Sequence, residues 1–586
     1  MATVDPPKQA LVALPKSEAS IEILERHDSF SKEQETLNII QTAPVPKGTP
    51  EFEVLRLKIL KDFSDKVPEE YRIAKHYIDA PPRDVTAIPR ACGILSEEEL
   101  EITENYDAVG LANAIATRKY TAVAVAKAFS KRAIICHQIS CCLTEWFPDE
   151  AEEQARALDE HLERTGKTVG PLHGVPVSIK EHMPIAGHPS SAGFVVTMRI
   201  DKKDCHAVAI LRSLGAIFYV KTIQPQAIMH LESDCHLGRV LCPYNIKLSA
   251  GGSTGGEAAL IALRGSCLGV GTDIGGSVRG PAGFCGIYGF KPTSYVFPMK
   301  EMMIGGFPAE LNVLCSAGPM CNTLRDMDFF MHHILGAKPY LQDPRLVPIP
   351  WTGLKTQVPK LKVGVMMDDG MIIPQPPVIR ALEWAKSQLS ALSFVEIKPF
   401  MPHATNEAMR MIRQMYWPDS GLVVKAKLAK TGEPMHSLTA HIMQDAIDDV
   451  EKTACEVTAM RVARDDFRCD FAESWSEQDV DVVLCPVFVG PAAAHDTSFY
   501  WNYTALFNFV DYPAVTFPTS ISALKKGEES YAENRALNDQ DEHVRKLWQE
   551  GDFEGAPINL QLVARKYHDN FLFGALDLLK DALQLK

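Results

Sequence analysis

Apolar and polar positions follow two rhythms along this chain, and the change between them marks its organisation. From 51 to 165 the spacing is helical. Thr121 precedes an amphipathic run over 122–137, and Ser96 with Glu99 has the spacing of a capping box. From about 166 short apolar runs alternate with amphipathic ones. Strands are predicted at 175–179, 216–221, 267–271, 361–367, 482–487, 514–517 and 558–563, and helices at 207–214, 257–264 and 378–392. The run 440–473 reads as one or two surface helices. Such alternation predicts an α/β fold with helices on both faces of a sheet. No Gly/Ser linker, repeat or long charge run divides the chain, so one large domain is expected over 51–586, with a helical part at 51–165 and a core at 166–586. Residues 1–50, rich in Pro, Ser, Thr, Lys and Glu, read as a flexible extension or as an arm that orders by docking.

Charge narrows the classes of partner. A net charge of −14 opposes binding to nucleic acid or to an anionic membrane surface. Apolar runs stay below the about 18 residues that span a bilayer, and the opening residues lack a secretory pattern. A soluble, cytoplasmic chain is expected. The 14 cysteines include no Cys-x-x-Cys and read as buried free thiols. His230, Cys235 and His236 stand close together in sequence, but their spacing fits neither a helical face nor a zinc finger, so no metal and no cofactor are expected.

Three segments carry chemistry. Gly271-Thr272-Asp273-Ile274-Gly275-Gly276-Ser277-Val278-Arg279 and Gly251-Gly252-Ser253-Thr254-Gly255-Gly256 are glycine-rich serine loops, and Lys180 closes the apolar run Gly174-Val175-Pro176-Val177-Ser178-Ile179. Glycines let backbone N–H groups converge on one oxygen. An amine among apolar residues is desolvated, which frees it to act as a base near neutral pH. The expectation is a serine hydrolytic site whose base is a lysine. Ser277 is the candidate nucleophile, with the N–H groups of Ile274, Gly275, Gly276 and Ser277 as its oxyanion hole.

Together these segments resemble the amidase signature family, and their order and spacing are most similar to fungal acetamidase-type general amidases. Gly93-Ile94-Leu95-Ser96-Glu97-Glu98-Glu99-Leu100, Gly170-Pro171-Leu172-His173, Gly289-Phe290-Lys291-Pro292-Thr293 and Gly555-Ala556-Pro557-Ile558-Asn559-Leu560-Gln561-Leu562-Val563 extend the likeness from about 55 to the end. Fatty acid amide hydrolases share the core motifs. The resemblance implies a large twisted mixed sheet and amide hydrolysis through a Ser277 acyl-enzyme. It implies Ser253, after a cis Gly252–Ser253 bond, as proton relay and Lys180 as base. Asp273 and Arg279 then hold the loop, and Thr254 stands where relatives carry serine. Glu181 follows the lysine where aspartate is common. By the same resemblance Ile228 and Met229 form an acyl pocket, with Asn502, Thr504 and Phe507 opposite. Lys221-Thr222-Ile223 and Cys242-Pro243 depart from the family pattern, which puts acetamide in doubt as substrate and points to an amide with a hydrophobic acyl group.

Other readings stay open. The same acyl-enzyme could serve an acyltransferase, and the fold could serve a binding protein without turnover. A homodimer is open as well. Gly251-Gly252-Ser253-Thr254-Gly255 also fits the Gly-x-Ser-x-Gly elbow, which would make Ser253 the nucleophile and require a histidine such as His332, His333 or His495.

Overall fold

The computed structural model describes residues 36–303, 312–445, 450–532 and 535–586. Its centre is an 11-stranded mixed sheet. In chain order the strands are β1 (Leu143–Trp146), β2 (Ser178–Lys180), β3 (Val220–Thr222), β4 (Leu268–Asp273), β5 (Tyr288–Lys291), β6 (Ser316–Cys321), β7 (Leu361–Val365), β8 (Val395–Pro399), β9 (Val482–Pro486), β10 (Ala514–Ser522) and β11 (Pro557–Ala564). They lie in the order β1-β3-β2-β4-β6-β5-β10-β11-β9-β7-β8.

Central strands such as β4, β5, β6 and β9 are buried along their whole length and need helices on both faces. Two parallel pairings decide where the chemistry sits. Ser178 and Ile179 of β2 pair with Gly269 and Val270 of β4, and Ile179 and Lys180 pair with Lys221 and Thr222 of β3. The C-terminal ends of β2 and β4 therefore emerge side by side. Lys180 ends one and Asp273 ends the other.

Local signals in the helical region hold. Thr121 caps the helix Ala122–Ser140 by accepting the Ala124 N–H, and Ser96 with Glu99 closes a capping box on Glu97–Glu104. The helix expected at 257–264 begins at Gly255, and the surface run 440–473 forms Ser437–Ile442 and Ala454–Glu477. Other elements lacked a signal. Strand β1 interrupts the region read as helical, because four residues between two long helices show no period of their own. Strand β6, Ser-Ala-Gly-Pro-Met-Cys, carries glycine and proline and owes its extension to ladders with β4 and β5.

The arm before residue 51 is docked where the structure describes it. Leu37 and Ile40 are buried, and the Ile40 N–H donates to the Gln138 carbonyl at 2.9 Å. Thr49 donates its N–H to the Gly432 carbonyl at 3.1 Å and caps the helix Pro50–Ser64 with its side chain. A boundary at 50 thus cuts through packed structure, and residues 1–35 of that reading lie outside the described residues. Among the described residues all cysteines are free, and all but Cys92, Cys315, Cys455 and Cys469 are buried. The described residues contain no helix long and apolar enough to cross a membrane and no His/Cys/Asp/Glu cluster suited to a metal ion.

Candidate active site

Lys180 is fully buried, and its neighbours are hydroxyls. Its Nζ lies 2.6 Å from Ser253 Oγ, 2.9 Å from Thr254 Oγ1 and 3.1 Å from Thr272 Oγ1. Burial brings its pKa down to about 7, opposed by the more distant charges of Cys315, Asp273, Glu257 and Glu181. A buried amine with neutral hydrogen-bond partners loses its preference for the charged form, so this lysine can take up a proton near neutral pH. The peptide bond Gly252–Ser253 is cis. Gly252 can be only glycine, since a Cβ there would lie 2.3 Å from the His230 carbonyl oxygen.

The nucleophile loop is built on a buried ion pair. Asp273, at the end of β4, accepts the backbone N–H groups of Gly276 (2.8 Å), Val278 (3.1 Å) and Arg279 (3.3 Å). The same carboxylate takes two guanidinium bonds from Arg279 at 3.0 Å and one from Asn508 Nδ2 at 2.9 Å. Burial opposes its ionisation, but the Arg279 guanidinium prevails and holds the carboxyl well below the usual carboxylate range. Arg279, also fully buried, spends its remaining donors on the Thr504 carbonyl, Asn508 Oδ1 and Gln561 Oε1. Every strong donor of this pair is satisfied, the condition under which a buried charge is tolerated.

This wrapping leaves Ser277 at the loop's crest, slightly exposed at 9%. The expected oxyanion hole needs one correction. The Gly276 N–H is already given to Asp273, whereas among the described residues no acceptor takes the N–H of Ile274, Gly275 or Ser277. Gly276 adopts φ +126° with Thr504 against it, a position closed to a side chain. The two serine loops touch through the Thr254 N–H, which donates to the Ser277 carbonyl at 3.2 Å. The histidines required by an elbow at Ser253 stand elsewhere. His495 is engaged by Glu232 and the Ile246 carbonyl, His332 and His333 lie on the helix Leu324–Gly336, and the hydroxyl of Ser253 meets Lys180.

An amidase family model matches residues 124–573, which include both serine loops and the lysine. The chain belongs to the amidase family. A Schizosaccharomyces pombe protein with an amidase name is 40% identical over 517 residues, 87% of this chain and 95% of its own length. An acetamidase of Emericella nidulans is 31% identical, covering 85% of this chain and 92% of its own. A solved fatty acid amide hydrolase superposes with a TM-score of 0.85 at 31% identity, over 92% of this chain and 95% of that one. As a member of this family the protein is an amide hydrolase.

On the substrate side of this amidase the expected residues are buried or half-buried. Ile228 and Met229 stay together, joining Ile274, Tyr416 and Trp501 in one apolar cluster. Phe507 belongs to the same cluster as Ile228 and Trp501. Asn502 is buried with its amide on Asp369 at 3.2 Å, and Phe507 is wholly inside the core. Thr504 braces the loop, donating its hydroxyl to the Gly275 carbonyl at 2.8 Å. These positions follow from the helix Asn502–Phe509, which is buried on every face.

Some residues of this amidase's site, Tyr416, Glu257 and His182 among them, carry no signal in the sequence. Tyr416 donates its hydroxyl to the Ile274 carbonyl at 2.8 Å from a helix far along the chain. Glu257 lies beneath β2 and β3, accepting from Ser178 and, at 2.7 Å, from Thr222; burial raises its pKa to about 7. Glu181 accepts the N–H groups of Ser191 and Ala192 and the amide of Gln224, and burial raises its pKa as well. Its longer side chain ties down the 190s loop. Thr272 and His182 complete the surroundings of the lysine.

Proposed function

We propose that this amidase cleaves a carboxylic amide through an acyl-enzyme on Ser277, with Ser253 as proton relay and Lys180 as base. The observation that carries this reading is a fully buried amine 2.6 Å from a serine hydroxyl, with a pKa of about 7. As the Ser277 oxygen attacks the amide carbon, its proton passes to Ser253 Oγ while the Ser253 proton passes to Lys180 Nζ. The oxygen of the tetrahedral intermediate is held by the N–H groups of Ile274, Gly275 and Ser277, and that of Gly276 joins them only by loosening its bond to Asp273. The proton returns by the same path to the leaving nitrogen, and the amine departs. Water then enters by the same route in reverse and releases the acid.

Apolar residues in the cluster that includes Ile274 of the loop support a substrate class. Ile228, Met229, Ile274 and Trp501 suit an amide with a hydrophobic acyl group, consistent with the likeness to a fatty acid amide hydrolase as well as to acetamidases. The test is covalent labelling with a fluorophosphonate and mapping of the label by mass spectrometry. Label on Ser277, abolished by Ser277→Ala and slowed without relocation by Ser253→Ala, is the expected result. Label on Ser253 in the wild-type protein overturns the mechanism.

A further inference from the structure

Lys180 faces three hydroxyls, and a neutral amine has two N–H groups and one lone pair. Productive base catalysis requires the lone pair to meet Ser253 rather than either threonine. What assigns it lies one residue beyond the lysine's neighbour. His182 is buried, with Nδ1 3.0 Å from the Met303 carbonyl oxygen and Nε2 3.1 Å from Thr272 Oγ1. The backbone makes the reciprocal bond, Met303 N–H to the His182 carbonyl at 3.0 Å, so the ring is held from both ends.

A carbonyl oxygen can only accept, so the Nδ1 facing Met303 carries the proton. Burial disfavours imidazolium and drives the His182 pKa well below its usual value, with the nearby lysine acting in the same direction. The ring is therefore the neutral Nδ1–H tautomer, and Nε2 is an acceptor. Thr272 must give its hydroxyl proton to Nε2, which leaves only lone pairs facing Lys180. Thr254 has its own acceptor in the Thr272 carbonyl, at 3.5 Å. Both threonines thus accept the two N–H groups of the lysine, at 2.9 and 3.1 Å, and the lone pair is left for the shortest contact, the Ser253 hydroxyl at 2.6 Å.

We propose that His182 is a positioning residue for amide cleavage: by accepting the Thr272 hydroxyl it prevents that hydroxyl from capturing the lysine lone pair, and so directs the base at Ser253. In the step it prepares, the Ser253 O–H bond breaks as an N–H bond forms on Nζ. Ser253 simultaneously takes the Ser277 proton, and the negative charge passes to the attacked carbonyl oxygen. Without an acceptor at position 182, Thr272 turns to donate to Nζ, and the base is occupied in its resting state. The inference rests on the proposed Ser277 acyl-enzyme and extends it.

The experiment is a double-mutant cycle on the full chain. Acylation rate by the fluorophosphonate, kcat and KM on an amide substrate, and the melting temperature are measured for each variant. His182→Leu is expected to slow acylation about ten- to hundredfold with KM nearly unchanged, the scale of a lost orientation. Thr272→Val, which keeps the shape and removes the hydroxyl, should relieve the dependence, so that adding His182→Leu to it brings no further loss. His182→Gln, which retains an acceptor for Thr272, should recover most of the rate. An unchanged rate in His182→Leu, or losses that multiply in the double variant, overturns the proposal. Where the leucine variant melts early, the glutamine variant in the two threonine backgrounds carries the test. There a large loss of rate that persists when Thr272 is replaced by valine overturns it equally. Label found on a serine other than Ser277 strikes the acyl-enzyme reading, whereas label on Ser277 with losses that multiply strikes this inference alone.

Discussion

Among the described residues three lysines are buried near the sheet, and their neighbours decide their chemistry. Lys221 donates to the Pro189 carbonyl at 2.6 Å and to Ser190 Oγ at 2.8 Å, with Glu181, Asp201 and Glu145 around it, and Lys291 lies 4.0 Å from Asp511. Burial lowers the pKa of those two as well, and the carboxylates hold part of that shift back. Among the described residues Lys180 hydrogen-bonds to hydroxyls alone and is brought down to about 7. A base must be neutral to act, so the rate is expected to rise with pH through about 7 and to decline below it as the amine protonates. Glu257, also raised to about 7, is a second source for such a limb. A pH–rate profile of Glu257→Gln separates them, since the limb should persist in that variant. Lys180→Ala should lower kcat by about 10²–10⁴, the span of general base catalysis, while circular dichroism shows a folded chain.

At the scale of the element, the turn from β4 into the helix Arg279–Phe284 works as a single device. One carboxylate collects three backbone N–H groups, and this holds Ser277 at the crest. Removing the counter-charge leaves Asp273 buried without its partner. Arg279→Met should therefore lower unfolding stability by about 3–5 kcal/mol, the range for a broken buried pair, as read by denaturant titration. Arg279→Lys should recover only part of this, because an ammonium cannot reach Asp273, Asn508, Gln561 and the Thr504 carbonyl together. Gly276→Ala meets Thr504 at 2.1 Å with φ +126°, so acylation should be lost before global stability is. Comparing labelling rate with melting temperature for this variant checks that order.

At the scale of the molecule, the arm leading to the helix Pro50–Ser64 belongs to the fold. Leu37 and Ile40 enter the core, and Thr49 both caps the helix and pairs with Gly432. A chain beginning at Glu51 forfeits these contacts. Burial of two such side chains contributes about 1.5–3 kcal/mol each, and an N-cap about 1 kcal/mol. Calorimetry should show a clearly lower melting temperature than for a chain beginning at residue 36, with labelling at Ser277 retained below the transition.

The chemistry of this amidase is local and therefore legible in its sequence. Glycine runs, a serine in each and a lysine after an apolar strand declare themselves over a few residues, because their roles depend on backbone freedom and on an apolar flank. Alternating apolar runs gave the α/β class for the same reason, as burial on both faces imposes it residue by residue. What no local pattern contained is the pairing of distant segments. That β2 and β4 lie parallel, so that Lys180 reaches Thr272, is a property of the ladder. That Thr504 and Tyr416 brace the nucleophile loop, or that Asn502 turns to Asp369, depends on where helices dock. A threonine, a tyrosine or a histidine carries no mark of the partner it will meet. Its part here was decided by packing, which alone fixes which lone pair faces which proton.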